Sequence, residues 1–127
     1  MDLNQITIPS KDVNTATEFY LKLGLRLIVD SRPRYVRFEL PFGTSTFSIH
    51  HVDHPITTRG MSIYFECEDL DERVAALQHQ GIRLETTPVD QAWLWREASL
   101  LDPDGNHLIL FHAGENRKNP PWRVKNS

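Results

Sequence analysis

The chain has 127 residues, 39% of them hydrophobic and 24% charged, which suits one domain with a substantial core and is too short for two independent domains. Its net charge of -3, with scattered Lys and Arg, argues against a nucleic-acid or cationic membrane-binding surface. No segment approaches the roughly 18 apolar residues of a membrane span, so we expect a cytoplasmic protein. The single cysteine, Cys67, cannot form an internal disulfide, and we expect it to be structural.

The first half of the chain predicts one strand, one helix and three further strands. Ile6 and Ile8 alternate with polar neighbours as in a half-buried strand, and Asp12 stands at the N-cap position before TATEFYLKLG. The next strands are predicted at residues 25–29, in RPRYVRFEL and in STFSIHH, each with one apolar face.

The second half repeats the first without gaps. A shift of 57 residues places Ile6 on Ile63, Asp12 on Asp69, and Gly24 on Gly81. Such a repeat of strand, N-cap, helix and C-terminal glycine indicates a duplicated module. Asp69 also begins a capping-box pattern with Glu72, which predicts a capped second helix.

The last strands of the two modules are related by a shift of 61 residues, which places Phe47 on Leu108 and Ile49 on Leu110. These residues form one apolar face of the strand. Because side chains alternate along a strand, Ser48 and Ile109 are expected on the opposite face.

The segment SIYFECEDLDERVAALQHQGI, followed by DPDGNHLIL, resembles the vicinal oxygen chelate superfamily over residues 5 to about 112. That superfamily includes glyoxalase I, extradiol dioxygenases, fosfomycin-resistance enzymes and bleomycin-resistance proteins. The resemblance implies an α+β fold in which two βαβββ modules curve around a shared cavity. We expect one domain at residues 1–113, with modules at 1–56 and 60–113, and a tail at 114–127.

The resemblance also identifies the positions that supply metal ligands in metal-dependent members: Gln5, Ser48, Ser62 and Ile109. Glutamine serves as a ligand in some glyoxalases. Serine hydroxyls are poor ligands, and isoleucine has no lone pair, whereas a catalytic metal needs about three protein ligands with donor atoms. We therefore expect no cofactor and no chelated metal.

Histidines keep a displaced metal site open as an alternative, because His50 and His107 share the cavity-facing parity of Ser48 and Ile109. His50, His51 and His54 cluster where a strand gives way to a loop, which is typical of solvated histidines. His79 and His112 have no partner at ligand spacing.

In the cavity that the resemblance implies, alternation of side chains places aromatic rings beside a few hydrogen-bond donors and charges. Such a surface suits an aromatic or conjugated small molecule. The alternative is a packed interior that these residues simply fill. The predicted residues are Gln5, Thr7, Tyr35, Arg37, Glu39, Ser48, His50, Ser62, Tyr64, Glu66, Trp93, Trp95, Glu97, Ser99, His107, Ile109 and Phe111. Trp93 and Trp95 are predicted to share one strand face.

Catalysis has three weak candidates, Glu97, Glu66 and His50. A carboxylate beside indoles could act as a general base, but no nucleophile accompanies it. The simpler expectation is that Glu66 and Glu97 pair with Arg37 or Arg96 or reach solvent. The leading hypothesis is a metal-independent binding protein of the bleomycin-resistance type. One alternative is an enzyme, either a lyase or dioxygenase with displaced metal ligands or a metal-free acid-base catalyst. Another is a structural or regulatory dimer without a ligand.

The tail AGENRKNPPWRVKNS lies beyond the repeat, and its Pro-Pro pair before Trp122 predicts an extended segment. We expect it to dock onto a partner subunit or over the cavity mouth rather than to be disordered. Dimerisation is common in the superfamily, so the resemblance implies a homodimer.

Overall fold

The computed structural model describes residues 1–57 and 60–125 and confirms the duplicated α+β fold. In these residues the elements are β1 (Gln5–Ser10), α1 (Val13–Leu23), β2 (Arg26–Ser31), β3 (Tyr35–Glu39), β4 (Thr46–His51), β5 (Ser62–Glu66), α2 (Leu70–His79), β6 (Thr86–Asp90), β7 (Arg96–Leu101), β8 (His107–His112) and a 3-10 helix (Gly114–Arg117). No helix in these residues is long and apolar enough to cross a membrane.

The two four-stranded sheets share one topology, with the orders β1-β4-β3-β2 and β5-β8-β7-β6. In each sheet the first strand pairs in parallel with the last, and the other pairs are antiparallel. Ile6 pairs with Phe47, and Ile63 pairs with Leu108. Both shifts of the sequence repeat are therefore reproduced in the strand register.

The chain forms two compact units, Met1–Gly60 with Asp102–Asn106, and Met61–Leu101 with the segment from His107 onward. The loop 102–106, which the repeat assigns to the second module, is thus part of the first unit. The module bounds at 1–56 and 60–113 remain predictions, and residues 58–59 and 126–127 lie outside the described residues.

Helix α1 is capped as predicted. The Asp12 carboxylate accepts a hydrogen bond from the Thr15 backbone N–H at 3.1 Å, and Gly24 ends the helix at a φ of 108°. The Asp69 capping box does not form, because the Asp69 side chain makes no capping hydrogen bond and lies 4.0 Å from the Arg73 guanidinium.

The first unit has a buried polar link between α1 and the DPDGN loop. The Tyr20 hydroxyl donates to Asp102 Oδ2 at 2.6 Å, and Asp102 also accepts hydrogen bonds from the Asn106 backbone N–H and side-chain amide, both at 2.8 Å. Asp102 is 4% exposed and Tyr20 is fully buried. Burial, together with the Asp102 charge, raises the pKa of Tyr20, so the phenol stays a donor.

Candidate functional site

Each sheet has one face that packs against its helix and one that does not. In the first unit, Tyr20 of α1 contacts the rings of Phe38 and Phe47. The opposite face, which we term the polar face, carries Gln5, Thr7, Tyr35, Arg37, Glu39, Ser48 and His50. The corresponding face of the second sheet, with the residues that precede β7, is termed the aromatic face: Ser62, Tyr64, Glu66, Trp93, Trp95, Glu97, Ser99, His107, Ile109 and Phe111.

A chain of three donor groups crosses the polar face. The Tyr35 hydroxyl lies 2.7 Å from Ser48 Oγ, and Arg37 Nε donates to the Tyr35 oxygen at 2.9 Å. Ser48 is fully buried, whereas Tyr35 and Arg37 are half-buried. Burial would raise the pKa of Tyr35, but the hydrogen bonds from Ser48 and Arg37 and the guanidinium charge outweigh it and lower the pKa below its ordinary value.

The rest of the polar face is open. Gln5 Nε2 donates to Thr7 Oγ1 at 3.4 Å and its Oε1 accepts from Thr46 at 2.9 Å. Glu39 and His50 are exposed. No carboxylate among the described residues of the first unit forms an ion pair with Arg37, and the predicted pairing of Glu66 or Glu97 with Arg37 stays a prediction.

Three rings form a cluster on the aromatic face. Trp95 stacks on Phe111 with centroids 4.8 Å apart, and Tyr64 meets the two rings edge-on at 5.9 and 5.6 Å. Phe111 and Ile109 are 4% and 7% exposed, whereas Tyr64 is 48% exposed. The cluster therefore has a buried part at Phe111 and an exposed part at Tyr64. The sequence left two alternatives, a packed interior and a ligand-binding surface, and each describes one part of the cluster.

The predicted common strand for Trp93 and Trp95 is wrong. Strand β7 begins at Arg96, and Trp93 lies in a turn in which Leu94 adopts a φ of 67°. A leucine in this left-handed region is strained by about 1 kcal/mol or more. The turn breaks the alternation of side chains, so the two indoles are positioned by different contacts.

The hydrogen bonds of the two indole N–H groups differ in length and in burial. The Trp93 indole N–H donates to Glu97 Oε2 at 2.6 Å, and this side chain is 45% exposed. The Trp95 indole N–H donates to the Asn116 carbonyl at 3.2 Å, and Trp95 also packs against the buried Ile109, Phe111 and Ala113. Trp95 is therefore part of the packing, and Trp93 is available to solvent.

Glu66, a candidate base, is engaged by the backbone. Its Oε2 accepts from the N–H groups of Ala113 and Gly114 at 2.7 and 2.9 Å, and its Oε1 lies 3.7 Å from Arg117 Nε. The carboxylate thus holds the start of the 3-10 helix. This helix corrects the prediction that the tail is extended throughout, while Trp122 is 59% exposed.

Arg96 does not form the predicted ion pair with Glu66 or Glu97. Its guanidinium binds Asp71 Oδ1 at 2.9 Å and Asp90 Oδ1 at 3.1 Å. Sequence reasoning missed these partners, as it missed Asn116 and Arg117, because no local sequence pattern specifies which of these side chains meet.

The four family ligand positions do not form a ligand set suited to a divalent metal. Ser48 is bonded to Tyr35, Ser62 Oγ lies 2.6 Å from His107 Nδ1, and Ile109 belongs to the buried apolar cluster. Of these four residues, only Gln5 has a side-chain oxygen that commonly coordinates metals. Within residues 1–57 and 60–125, no three His, Cys, Asp or Glu side chains lie close enough together to hold a metal ion.

The histidines have other neighbours. His107 Nε2 lies 4.0 Å from Glu85 Oε1, and His51 Nε2 lies 2.7 Å from Asp53 Oδ1. His50 is exposed on the polar face. Burial raises the pKa of Cys67, which agrees with a structural thiol.

One cavity of the first unit lies beside the start of α1. It has a volume of about 510 Å³ and is lined by residues of the first unit: Lys11, Asp12, Thr15, Pro55, Ile56, Pro103 and Asp104. None of these is a predicted site residue, and its carboxylates already serve as the helix cap and as an acceptor for the Lys11 N–H.

Several proteins of known structure have this architecture. A glyoxalase/bleomycin resistance protein/dioxygenase from Nocardioides is similar with a TM-score of 0.78 and 18% identity, over 98% of this chain and 90% of that one. Lactoylglutathione lyase from Agrobacterium tumefaciens is similar with a TM-score of 0.70 and 17% identity, over 87% and 92%. A bleomycin-binding protein complexed with bleomycin has a TM-score of 0.68 and 23% identity, over 88% and 98%.

At these identities the structural likeness shows the fold alone. No curated protein matches the sequence at a significant level. The family model of the Glyoxalase/Bleomycin resistance protein/Dioxygenase superfamily matches residues 2–110. The chain therefore belongs to the glyoxalase/bleomycin resistance protein/dioxygenase superfamily.

Proposed function

We propose that this protein is a metal-independent binding protein that sequesters a planar aromatic ligand, as a homodimer in the cytoplasm. The observation that carries the proposal is the aromatic face, where the exposed ring of Tyr64 packs on the buried ring of Phe111 and the indole of Trp93 is also exposed. Phe111 is 4% exposed, whereas Tyr64 and Trp93 are 48% and 45% exposed. Open aromatic surface with a few fixed polar groups is typical of sites for planar ligands.

Stacking and hydrogen bonds that orient the two indoles support binding. Trp95 is fixed by stacking on Phe111 and by its bond to Asn116, and Trp93 is fixed through Glu97. A surface fixed before the ligand arrives loses less side-chain entropy on binding. The bleomycin-binding protein, whose structure contains bleomycin, shows that this fold accommodates an organic ligand in a relative.

The metal-independent part of the proposal depends on the chemistry of the family ligand positions. Ile109 has no donor atom, and the hydroxyls of Ser48 and Ser62 are already hydrogen-bonded. A metal-dependent lyase or dioxygenase would need ligands from elsewhere in the chain. Of the candidate bases for a metal-free acid-base catalyst, Glu66 and Glu97 already accept hydrogen bonds from the backbone and from an indole.

We expect planar two- and three-ring aromatics, including 2-naphthoate, to bind and to change tryptophan emission. Trp93→Ala should weaken binding by about fivefold or more, because an aromatic contact contributes about 1 kcal/mol. It should leave the free energy of unfolding within about 0.5 kcal/mol, since the indole is half exposed. Titration calorimetry gives the affinity, and urea unfolding gives the stability.

Phe42→Ala is the matched control, because Phe42 is an exposed aromatic residue of the first unit and is outside the aromatic face. It should leave the affinity unchanged. Trp95→Ala is expected to lower stability as well, by about 2 to 4 kcal/mol, because Trp95 packs on the buried cluster. If no planar compound in the panel binds to the folded protein, the proposed function is wrong.

A further inference from the structure

Three polar side chains of the second unit meet at one end of its sheet. Ser62 begins β5 and His107 begins β8, and the two residues pair with each other across these parallel strands. Ser62 Oγ lies 2.6 Å from His107 Nδ1, and His107 Nε2 lies 4.0 Å from Glu85 Oε1. All three residues belong to the second unit. This unit therefore brings together a hydroxyl, an imidazole and a carboxylate by itself.

The geometry makes His107 a base toward Ser62. The negative charge of Glu85 favours the imidazole tautomer that has its hydrogen on Nε2. Nδ1 then has a free lone pair and accepts the hydrogen of the Ser62 hydroxyl, at a distance short enough for proton transfer. A serine hydroxyl is a weak nucleophile until a neighbouring base takes its proton. An imidazole between a hydroxyl and a carboxylate activates the serine of hydrolases in this way.

The three side chains are open to a small substrate. Ser62 is exposed, and the side chains of His107 and Glu85 are 38% and 49% exposed. The corresponding strand pair of the first unit is Gln5 with Thr46, where Gln5 Oε1 accepts from the Thr46 hydroxyl at 2.9 Å. That pair has a hydrogen bond in the same place but no imidazole, so the second unit differs from the first by a base beside a hydroxyl.

The neighbouring ring and the strength of the nucleophile indicate the substrate class. Tyr64 is 48% exposed and lies on the same face of β5 as Ser62, so an aromatic group can pack beside the hydroxyl. An aryl ester has a stable leaving group, so a modest nucleophile can attack its carbonyl carbon. We infer that Ser62 is a nucleophile for acyl transfer from aryl esters, with His107 as its general base and Glu85 as a positioning residue.

The acyl transfer has two steps. Ser62 Oγ bonds to the carbonyl carbon while His107 Nδ1 takes the hydroxyl proton, and the bond from that carbon to the aryl oxygen breaks as the phenol leaves with the proton. A water molecule then gives a proton to His107 and attacks the acyl group on Ser62, which releases the carboxylic acid and returns the proton to the serine. This activity goes beyond the proposed function, because sequestration needs no covalent step.

The test uses 4-nitrophenyl acetate, with release of 4-nitrophenol and mass spectrometry of acid-quenched, digested protein as readouts. Wild-type protein should carry an acetyl group on Ser62. Ser62→Ala should remove this label, and His107→Gln should slow labelling of Ser62 by about a hundredfold or more, since it removes the general base. Ser31→Ala and His79→Gln are the matched controls, because both residues are exposed and lie outside this group, and the rate should be unchanged.

Glu85→Gln keeps the shape of the side chain and removes its charge. It should slow labelling of Ser62 and raise the fraction of His107 that has its hydrogen on Nδ1, which heteronuclear NMR of the imidazole measures. A merely structural role would leave this fraction unchanged, and that result would overturn the role of Glu85. Acetylation confined to lysines or the N-terminus, or labelling of Ser62 at the wild-type rate in His107→Gln, overturns the inference and leaves the proposed function standing.

Discussion

Ile109→Glu should destabilise the protein by about 3 kcal/mol or more at pH 8, and added Ni, Zn, Mn or Fe should not restore the loss. Ile109 is 7% exposed and packs with Phe111 and Ala113, so the substitution places a carboxylate in an apolar cluster. The other family positions offer no strong donor to a metal that might neutralise it. Thermal and urea unfolding, with and without metal, measure both effects.

A comparison of Ile109→Glu with Ile109→Gln separates the effect of the introduced charge on stability from the effect of the changed side-chain shape. Burial raises the folded-state pKa of an introduced glutamate above its unfolded value of about 4.3, so its penalty relative to glutamine is absent below that pH and grows as the pH rises. The two variants should therefore converge near pH 4 and diverge toward pH 8. A metal that raises the midpoint of Ile109→Glu to that of wild type at one equivalent would contradict the account.

Asp102→Ala should lower the free energy of unfolding by about 3 kcal/mol, because it leaves several buried donors without an acceptor. The donors are the Tyr20 hydroxyl, the Asn106 backbone and amide N–H groups, and the Asp104 N–H. Tyr20→Phe removes only one of these bonds and should cost about 1 to 2 kcal/mol. Urea unfolding of both single variants and the double variant measures their coupling.

Asp53→Ala is the control for the loss of a surface carboxylate, because the Asp53 side chain is 95% exposed, and it should change stability by no more than about 0.5 kcal/mol. If Asp102→Ala were as mild as this control, the link between the DPDGN loop and α1 would be incidental. Additive effects of Tyr20→Phe and Asp102→Ala would also contradict the proposed coupling.

The sequence predicts the fold because each module contains its own local signals. Alternating apolar residues, the Asp12 cap and the glycine after the first helix repeat in register, and the strand pairing follows the same two shifts. Alternation also assigns Ser48 and Ile109 to the faces opposite the helices. The composition of those faces could therefore be predicted without coordinates.

The contacts that shape the site could not be predicted in this way. The turn at Leu94 moves Trp93 off the strand, and leucine has no preference for a positive φ that would mark the turn. Glu66 bonds to Ala113, which is 47 residues away, and Tyr20 bonds to Asp102, which is 82 residues away. Such pairs form only when distant segments meet, and no local pattern encodes them.

The fold is compatible with more kinds of reaction and ligand than the side chains at its family ligand positions are. Relatives with this architecture include a lactoylglutathione lyase and a bleomycin-binding protein, so architecture alone selects neither reaction nor ligand. At the family ligand positions this chain has an isoleucine and two hydrogen-bonded serines, and the proposal of metal-independent binding depends on these residues.

The most direct test of metal-independent binding is the affinity for 2-naphthoate before and after exhaustive treatment with a chelator, with elemental analysis of both samples. The account predicts the same Kd in both samples and no stoichiometric metal in protein purified without chelator. Loss of binding after chelation, with recovery on addition of one equivalent of a divalent metal, would contradict it.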